Sequence, residues 1–309
     1  MKLVFMGTPD FAVPSLRKLI TSQHEVAAVV TGPDKPAGRG RKMRPTPVKK
    51  TAMEFNLPVL TPAKFLDEKF ISALKEFQAD LFVVVAFRIL PKQVFTIPLY
   101  GTINLHSSLL PKYRGAAPIN WVIINGEKET GVTTFFLEEK VDTGEWILQE
   151  KVSIGENETA GELHDRLSEI GAEVLLETVN LIDQGNAPRI KQEGEVSKAP
   201  KLNKELCRIN WSKEAVTVFN QIRGLSPYPG AYSLLKKKVV KIFRAEVESG
   251  TSAQSVEPGK VISVEKEKIL VGTGNGILAI TELQPENRRR MTTAEYLRGS
   301  AVSPGDRFV

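Results

Sequence analysis

The sequence has very little cysteine and histidine and no long hydrophobic segment. Its single cysteine, Cys207, excludes an intrachain disulfide and a cysteine-based metal cluster. The three histidines, His24, His106 and His164, are scattered and predict no metal site. The longest apolar run, Leu81–Phe87, is far shorter than the roughly 18 residues of a membrane span. The N-terminal stretch has the character of neither a signal peptide nor a transit peptide, so we expect a cytoplasmic protein.

The chain also lacks the glycine-rich fingerprint of dinucleotide-binding proteins, although its N-terminal part otherwise predicts an α/β fold. The apolar run Leu3–Met6 predicts a strand, and the single glycine in the following turn, Gly7, counts against an NAD-type pyrophosphate site. Asp10 is predicted to cap the next helix. Strands and helices then alternate, which predicts a Rossmann-like parallel sheet. The further predicted strands are Val26–Val30 and Phe82–Ala86, and the predicted helices are Phe11–Thr21, Pro47–Phe55 and Asp67–Phe77.

Charge is spread unevenly along the chain. The 309 residues carry a net charge of +6 and are enough for two domains. Residues 31–50 alone have a net charge of +6, and residues 208–309 have another +6, so the remainder is acidic. Two separate basic segments are typical of a protein that binds a polyanion such as a nucleic acid. The alternative is that both are solvated surfaces that keep the protein soluble.

The first basic segment, Thr31–Pro47, is rich in glycine, proline and arginine. Its glycines and prolines predict a long loop without a regular element, and long loops are usually functional or disordered. A loop dense in arginine suits phosphate binding, with the loop becoming ordered on its partner.

A polar face at the end of an apolar strand is the most informative feature. In Thr102–His106, the side chains of Asn104 and His106 alternate with Ile103 and Leu105, so they share one face of a strand. Parallel sheets bind ligands at the carboxyl ends of their strands. An amide and an imidazole there could stabilise an oxyanion and move a proton. A lone histidine at this position could instead be a satisfied structural group.

The second half of the chain is predicted to contain two strands and a long helix, followed by a C-terminal region of mostly short strands. Strands are predicted at Thr130–Leu137 and Trp146–Val152, separated by a turn that contains Asp142; alone, this aspartate reads as a turn former. A long amphipathic helix over Glu162–Leu181 follows. We expect a catalytic domain at 1–187, a linker at 188–207 and a small OB-like β-barrel at 208–309. The predicted C-terminal elements are a helix at Trp211–Ile222 and strands at Ala231–Leu235, Val239–Val247, Gly259–Val264, Lys268–Gly272 and Gly276–Leu283.

Several short motifs are spread along the chain: Gly7–Phe11, Pro33–Gly40, Asn104–His106, Ser108–Pro111 with Tyr113–Pro118, Asp142–Gly144 and Leu225–Ala231. They resemble the methionyl-tRNA formyltransferase family over essentially the whole chain. The Asn-x-His, Ser-Leu-Leu-Pro and Asp-Thr-Gly motifs also occur in other enzymes that use 10-formyltetrahydrofolate. The basic Gly-Arg-Gly loop and the C-terminal part narrow the choice to a tRNA substrate. The segment at residues 86–91 is one residue shorter than usual in the family and is more similar to glycinamide ribonucleotide formyltransferases.

The resemblance implies transfer of a formyl group from 10-formyltetrahydrofolate, without a metal, to the α-amine of methionine on initiator tRNA, for translation initiation. It implies a Rossmann-like domain followed by a β-barrel that binds tRNA, and we expect a monomer. The implied catalytic residues are Asn104, His106 and Asp142. The implied folate-binding residues are Phe87, Arg88, Ile89, Leu90, Ser108, Leu109, Leu110 and Pro111. The implied tRNA-binding residues are Arg39, Arg41, Lys42 and Arg44.

Other functions share part of this pattern. A formyltransferase for a small amine, or a 10-formyltetrahydrofolate hydrolase, would share the three catalytic residues but would need neither basic segment. A nucleic-acid-binding module with an inactive Rossmann-like half would not need the polar face of Thr102–His106.

Overall fold

The computed structural model describes residues 1–37, 42–248 and 256–309. The strands, in chain order, are β1 (Lys2–Gly7), β2 (Glu25–Val30), β3 (Lys35–Ala37), β4 (Lys42–Arg44), β5 (Val59–Leu60), β6 (Leu81–Val85), β7 (Thr102–His106), β8 (Arg114–Gly115), β9 (Glu129–Phe136), β10 (Trp146–Ser153), β11 (Lys198–Ala199), β12 (Ala231–Leu235), β13 (Lys238–Val247), β14 (Val261–Val264), β15 (Ile269–Gly272), β16 (Ile277–Pro285) and β17 (Met291–Thr292). The helices are α1 (Val13–Ile20), α2 (Pro47–Glu54), α3 (Glu68–Glu76), α4 (Lys92–Phe95), α5 (Pro118–Ile124), α6 (Ala160–Asp183), α7 (Lys204–Cys207), α8 (Ala215–Gly224) and α9 (Thr293–Leu297).

The chain divides into two compact units that interleave along the sequence. The first unit comprises Met1–Gly115, Thr130–Val152 and His164–Ala199, and the second comprises Ala116–Glu129, Ser153–Leu163 and Pro200–Val309. Within the described residues, no helix combines the length and the apolar character needed to cross a membrane.

The first unit is built on a mostly parallel sheet with the strand order β10-β9-β7-β6-β1-β2-β5. The neighbouring pairs from β7 to β5 are parallel, and β9 runs antiparallel to β7. β6 is buried along its whole length, as expected for an apolar strand in the centre of a parallel sheet. One face packs around the side chains of Val4, Met6, Phe82 and Val84, with Leu74 of α3 against them.

The first helix begins differently from the prediction. Asp10 does not cap it: this residue lies inside a 3₁₀ turn, Asp10–Ala12, and Ala12 occupies the N-cap of α1 without a side-chain hydrogen bond. Pro14 lies in the first turn of α1. Its fixed φ suits a helix start, so the helix does not depend on an aspartate cap.

The second unit has a C-terminal antiparallel sheet in the order β12-β13-β16-β15-β14, with β17 also paired to β16. Side chains from α8 and from this sheet share one apolar core, which includes Val218, Ile222, Ile242, Leu278 and Ile280. Buried and half-buried residues alternate in β12, which shows why the sequence predicted this strand at the observed bounds.

The prediction that Thr31–Pro47 has no regular element is wrong. β3 and β4 form an antiparallel ribbon in which Lys35 lies opposite Arg44, and Pro36 lies opposite Met43. A proline disrupts a sheet only where its missing N–H is needed, and a ribbon of two strands leaves its outer edges unpaired. The ion pair between Lys49 and Asp34, at 2.8 Å, joins the segment before β3 to α2.

Candidate active site

The segments predicted to bind substrates all follow the carboxyl ends of parallel strands in the first unit. The basic segment follows β2, residues 86–91 follow β6, and the turn after His106 follows β7. The strand order reverses between β1 and β6, because β2 and β5 extend the sheet on one side and β6 and β7 on the other. Open α/β sheets bind ligands in the crevice at such a reversal, outside the carboxyl ends of the strands. This edge of the sheet is therefore the candidate active site.

Asn104 presents an amide at this edge. In the sheet register it lies between Val84 of β6 and Phe135 of β9. The residue is half-buried, and its side chain forms no hydrogen bond with another residue in the described ranges. An amide held on a rigid strand without a protein partner is available to bind a ligand.

The contacts of His106 fix its tautomer. Its Nε2 lies 2.9 Å from the main-chain oxygen of Tyr113, and a carbonyl can only accept, so Nε2 carries the hydrogen. In the neutral ring Nδ1 is then unprotonated, and it lies 3.9 Å from Oδ2 of Asp142. This distance exceeds that of a hydrogen bond. With a side chain only 8% exposed, His106 offers a basic Nδ1 that becomes a donor only after it is protonated.

Asp142 is held in place by the main chain. Its Oδ2 accepts the N–H of Gly115 at 2.9 Å, and its side chain is 11% exposed. Its φ of 56° lies in the left-handed region, which residues other than glycine adopt uncommonly. Strained residues of this kind cluster at active sites. The structure thus brings His106 and Asp142 together, although they are 36 positions apart in the sequence.

The arrangement suits the movement of a proton beside a developing negative charge. Asn104 supplies two N–H donors, His106 can accept a proton at Nδ1, and the carboxylate of Asp142 would stabilise the imidazolium that results. Because the latter two side chains are largely excluded from water, each charge interaction is stronger than at an exposed site.

The turn after β7 is braced by β9 and β10. Thr133 donates its hydroxyl to the oxygen of Ser108 at 2.6 Å and accepts the N–H of Leu110 at 3.2 Å. Gln149 donates to the oxygen of Leu110 at 2.8 Å. The Ser108 hydroxyl donates to the oxygen of Lys112 at 2.7 Å, so it is used within the turn. Of the predicted folate-binding residues here, Ser108, Leu110 and Pro111 are buried, and Leu109 is half-buried.

The segment after β6 is more open. Ile89 is 75% exposed, whereas Leu90 is buried. Within the described residues, the main-chain N–H groups of Phe87–Leu90 donate no hydrogen bond. Arg88 packs its guanidinium 4.3 Å from the ring centroid of Phe65 and donates to the oxygen of Pro62 at 2.8 Å. Partial burial lowers the pKa of the Arg88 guanidinium from its ordinary value.

Comparisons with known proteins identify the family of this chain. Residues 1–179 match the family described as formyl transferase, and residues 201–301 match formyl transferase, C-terminal domain. The chain is 51% identical over 306 residues to the methionyl-tRNA formyltransferase of Pelotomaculum thermopropionicum, covering 99% of this chain and 97% of that protein. It is 50% identical over 307 residues to the methionyl-tRNA formyltransferase of Clostridioides difficile, covering 99% of each. The chain belongs to the methionyl-tRNA formyltransferase family.

A solved structure shares the fold. HypX from Aquifex aeolicus, in complex with tetrahydrofolic acid, superposes with a TM-score of 0.67 at 20% identity. The match covers 96% of this chain, which spans about half the length of HypX, 47%. The predicted fold class is confirmed: a parallel-sheet α/β formyltransferase domain precedes a C-terminal antiparallel β domain.

Two of the four residues predicted to bind tRNA in this family member lie in β4 of the β3–β4 ribbon. Arg39 and Arg41 are outside the described residues, and Lys42 begins β4. Arg44 is exposed and lies directly opposite Lys35, which is also exposed. Like charges in directly opposite positions destabilise a sheet. A polyanion between or beside them would relieve this repulsion.

Sequence reasoning missed the residues that hold the active-site turns. Thr133 and Gln149 brace the turn after β7, while Gln192 and Ser197 lie in the segment predicted to be a linker. Each is an ordinary polar residue in a strand or a polar stretch. No local pattern marks such residues, because their partners are distant in the sequence.

Proposed function

We propose that this protein transfers the formyl group of 10-formyltetrahydrofolate to the α-amine of methionine on initiator tRNA. The observation that carries the proposal is a group of three side chains at the carboxyl end of β7 in a methionyl-tRNA formyltransferase family member. They are an amide without a hydrogen-bond partner among the described residues, a basic imidazole nitrogen and a carboxylate. Neither a hydride carrier nor a nucleophilic side chain is needed for transfer between two amines.

Each member of the group has a separate role in the proposal. The acceptor amine attacks the formyl carbon, and the N–H donors of Asn104 stabilise the oxyanion that develops there. His106 accepts at Nδ1 the proton that the amine loses, and donates it to the folate nitrogen as the bond between that nitrogen and the formyl carbon breaks. Asp142 stabilises the imidazolium form of His106. The acceptor needs only a modest base, because an α-amine with a reference pKa of about 7.7–8.0 is already partly neutral near pH 7.

The formyl donor fits the two segments that follow β6 and β7. A pterin ring is flat, with hydrogen-bonding groups along its edge. The main-chain N–H groups of Phe87–Leu90, which donate no hydrogen bond within the described part of the chain, would match that edge. The exposed side chain of Ile89 would cover its face. The braced turn Ser108–Pro111 would form the opposite border of the site. The main chain, rather than the engaged hydroxyl of Ser108, would then supply the polar contacts.

The decisive experiment compares two acceptors. The purified protein is incubated with 10-formyltetrahydrofolate and methionyl initiator tRNA, in parallel with methionyl elongator tRNA, and formyl-methionine is followed over time. We expect rapid formylation of the initiator and little of the elongator. Binding of the folate donor without transfer to either tRNA would contradict the proposal and favour a small amine as acceptor.

The basic segment of the sequence that contains Arg39, Arg41, Lys42 and Arg44 is proposed to bind phosphates of the tRNA. We expect Arg44→Ala to raise the KM for tRNA and to leave the KM for the folate donor unchanged. Each phosphate contact adds a salt-dependent increment of affinity, so the dependence of log affinity on log salt should become shallower by about 1. Steady-state kinetics at several salt concentrations measure both effects.

Lys75→Ala provides a matched control, because it removes one positive charge from an exposed position on α3. It should leave the salt dependence unchanged. An Arg44→Ala variant with the wild-type KM for tRNA at every salt concentration would remove Arg44 from the tRNA interface.

A further inference from the structure

The polar segment after α6 crosses the two turns that carry the active-site groups. We call residues 190–199 the strap. The strap begins with a two-bond bridge between Ile190 and Trp146, the first residue after the Asp142 turn. It ends at β11, which pairs in parallel with β8. The whole strap belongs to the first unit, together with both turns.

Gln192 lies in the middle of the strap and binds the Asp142 turn directly. Its Nε2 donates to the main-chain oxygen of Asp142 at 3.0 Å and to that of Gly144 at 2.8 Å. An amide nitrogen has two hydrogens, so these bonds use both of them. One side chain therefore holds the turn that positions the carboxylate at two of its residues.

The other end of the Gln192 amide binds the second turn. Its Oε1 accepts from Nε of Arg114 at 3.2 Å and from Nη2 of the same guanidinium at 2.6 Å. Arg114 directly precedes Gly115, whose N–H donates to Oδ2 of Asp142. Reversal of the amide would place its oxygen against two carbonyl oxygens and its N–H groups against a cation. One orientation thus satisfies every group, and Gln192 links the two turns.

Ser197 secures the turn that fixes His106. Its hydroxyl accepts the N–H of Tyr113 at 2.8 Å, and its main-chain oxygen accepts the N–H of Arg114 at 3.0 Å. Tyr113 is the residue whose oxygen accepts from Nε2 of His106. The strap thus binds the main chain of both turns: the turn whose carbonyl oxygen accepts from the imidazole of His106, and the turn that carries the carboxylate of Asp142.

We infer that Gln192 is a positioning residue that sets the separation of His106 from Asp142 through the strap. No direct hydrogen bond fixes that separation, because Nδ1 and Oδ2 are 3.9 Å apart. It follows instead from the positions of the two turns, which Gln192 joins. The inference rests on the proposed function for its catalytic consequence, but the linkage of the turns can be measured without activity.

The test is the pair of variants Gln192→Met and Gln192→Glu. Methionine keeps the approximate size and removes every hydrogen bond, whereas glutamate keeps an acceptor for Arg114 and loses both donors to the Asp142 turn. For both we expect kcat to fall by on the order of 10-fold to 10²-fold, because misplacement by about 1 Å can cost 10²-fold. The KM values for tRNA and for the folate donor should stay within about twofold, since neither binding segment is touched.

Amide hydrogen exchange gives a readout that does not depend on turnover. The N–H of Gly115 bonds to the carboxylate of Asp142, so it reports whether the two turns remain together. We expect its exchange to accelerate by on the order of 10-fold in both variants, with the unfolding temperature nearly unchanged. Glu193→Ala is the matched control, because this neighbour is exposed. It should alter neither kcat nor the exchange of Gly115.

The outcomes separate the inference from the proposed function. Wild-type kcat with unchanged exchange at Gly115 would overturn the positioning role, as would a loss of kcat without faster exchange. Should Gln192→Met fail to fold, Gln192→Glu and Ser197→Ala test the same linkage with smaller changes. If the wild-type protein formylates neither tRNA, the proposed function fails, while exchange at Gly115 still decides whether Gln192 links the turns.

Discussion

Asn104→Ala should lower kcat for formyl transfer by roughly 10²–10³, the usual effect of removing one oxyanion donor. His106→Ala should lower kcat by roughly 10²–10⁴, the usual contribution of a positioned general acid–base. The two variants should differ in their folding stability. Asn104 has no hydrogen-bond partner among the described residues, so its truncation leaves no buried group unpaired. Truncation of His106 removes the donor that the oxygen of Tyr113 has in the wild type. We expect this loss to lower the free energy of unfolding by about 1–3 kcal/mol.

The measurement is steady-state kinetics with both substrates, alongside the thermal unfolding midpoint of each variant. We expect the Asn104→Ala protein to unfold at the wild-type temperature, and its KM values to change much less than kcat. Asn186→Ala and His164→Ala are matched controls at an exposed asparagine and at a histidine outside the candidate site. Full activity in Asn104→Ala or in His106→Ala would remove that residue from the catalytic assignment.

Local sequence patterns were sufficient to predict many of the strands and helices of the fold. In β12, buried and half-buried residues alternate, turn residues bound the strand, and the predicted bounds Ala231–Leu235 equal the observed ones. β6 was predicted at Phe82–Ala86 and is observed at Leu81–Val85, a shift of one residue at each end. In both cases the signal lies within the strand itself, in hydrophobic periodicity and in the residues that bound it.

Two local predictions failed because tertiary pairing outweighed composition. Pro36 argued against a strand, yet it lies in β3 opposite Met43, where a ribbon needs no donor on its outer edge. Asp10 had the composition of a cap, but Pro14 lies in the first turn of α1 and Asp10 belongs to the preceding 3₁₀ turn. Propensity is a weak prior wherever another element supplies the missing contacts.

The residues of the candidate site also differ in whether the sequence could predict them. Asn104 and His106 were visible in the sequence because they alternate on one strand. Asp142 could be placed with them only through the resemblance to a family, since nothing local joins residues so far apart. Neither a local pattern nor the family resemblance marked Gln192, because its role depends on three hydrogen-bond partners on two other turns. Residues that join turns are therefore found only when the folded positions are known.

Gly144→Ala is expected to disturb both stability and catalysis. A Cβ at this position would lie 1.7 Å from the main-chain oxygen of Phe136 and 3.0 Å from its carbonyl carbon. Both contacts are with backbone at the end of β9, so rotation of a side chain cannot relieve them. The turn that carries Asp142 must therefore move away from the sheet. Overpacking of this kind typically costs about 1–3 kcal/mol, occasionally more.

The displaced turn should also lose its catalytic geometry. The oxygen of Gly144 accepts from Gln192, so movement of the turn weakens that bond as well as the contact of Asp142 with Gly115. We expect a lower unfolding temperature together with a fall in kcat on the order of 10²-fold. Gly299→Ala is the control, because a Cβ there meets nothing within 4 Å. Wild-type stability and kcat in Gly144→Ala would mean that the Asp142 turn moves freely, and that its close packing on β9 does not position the carboxylate.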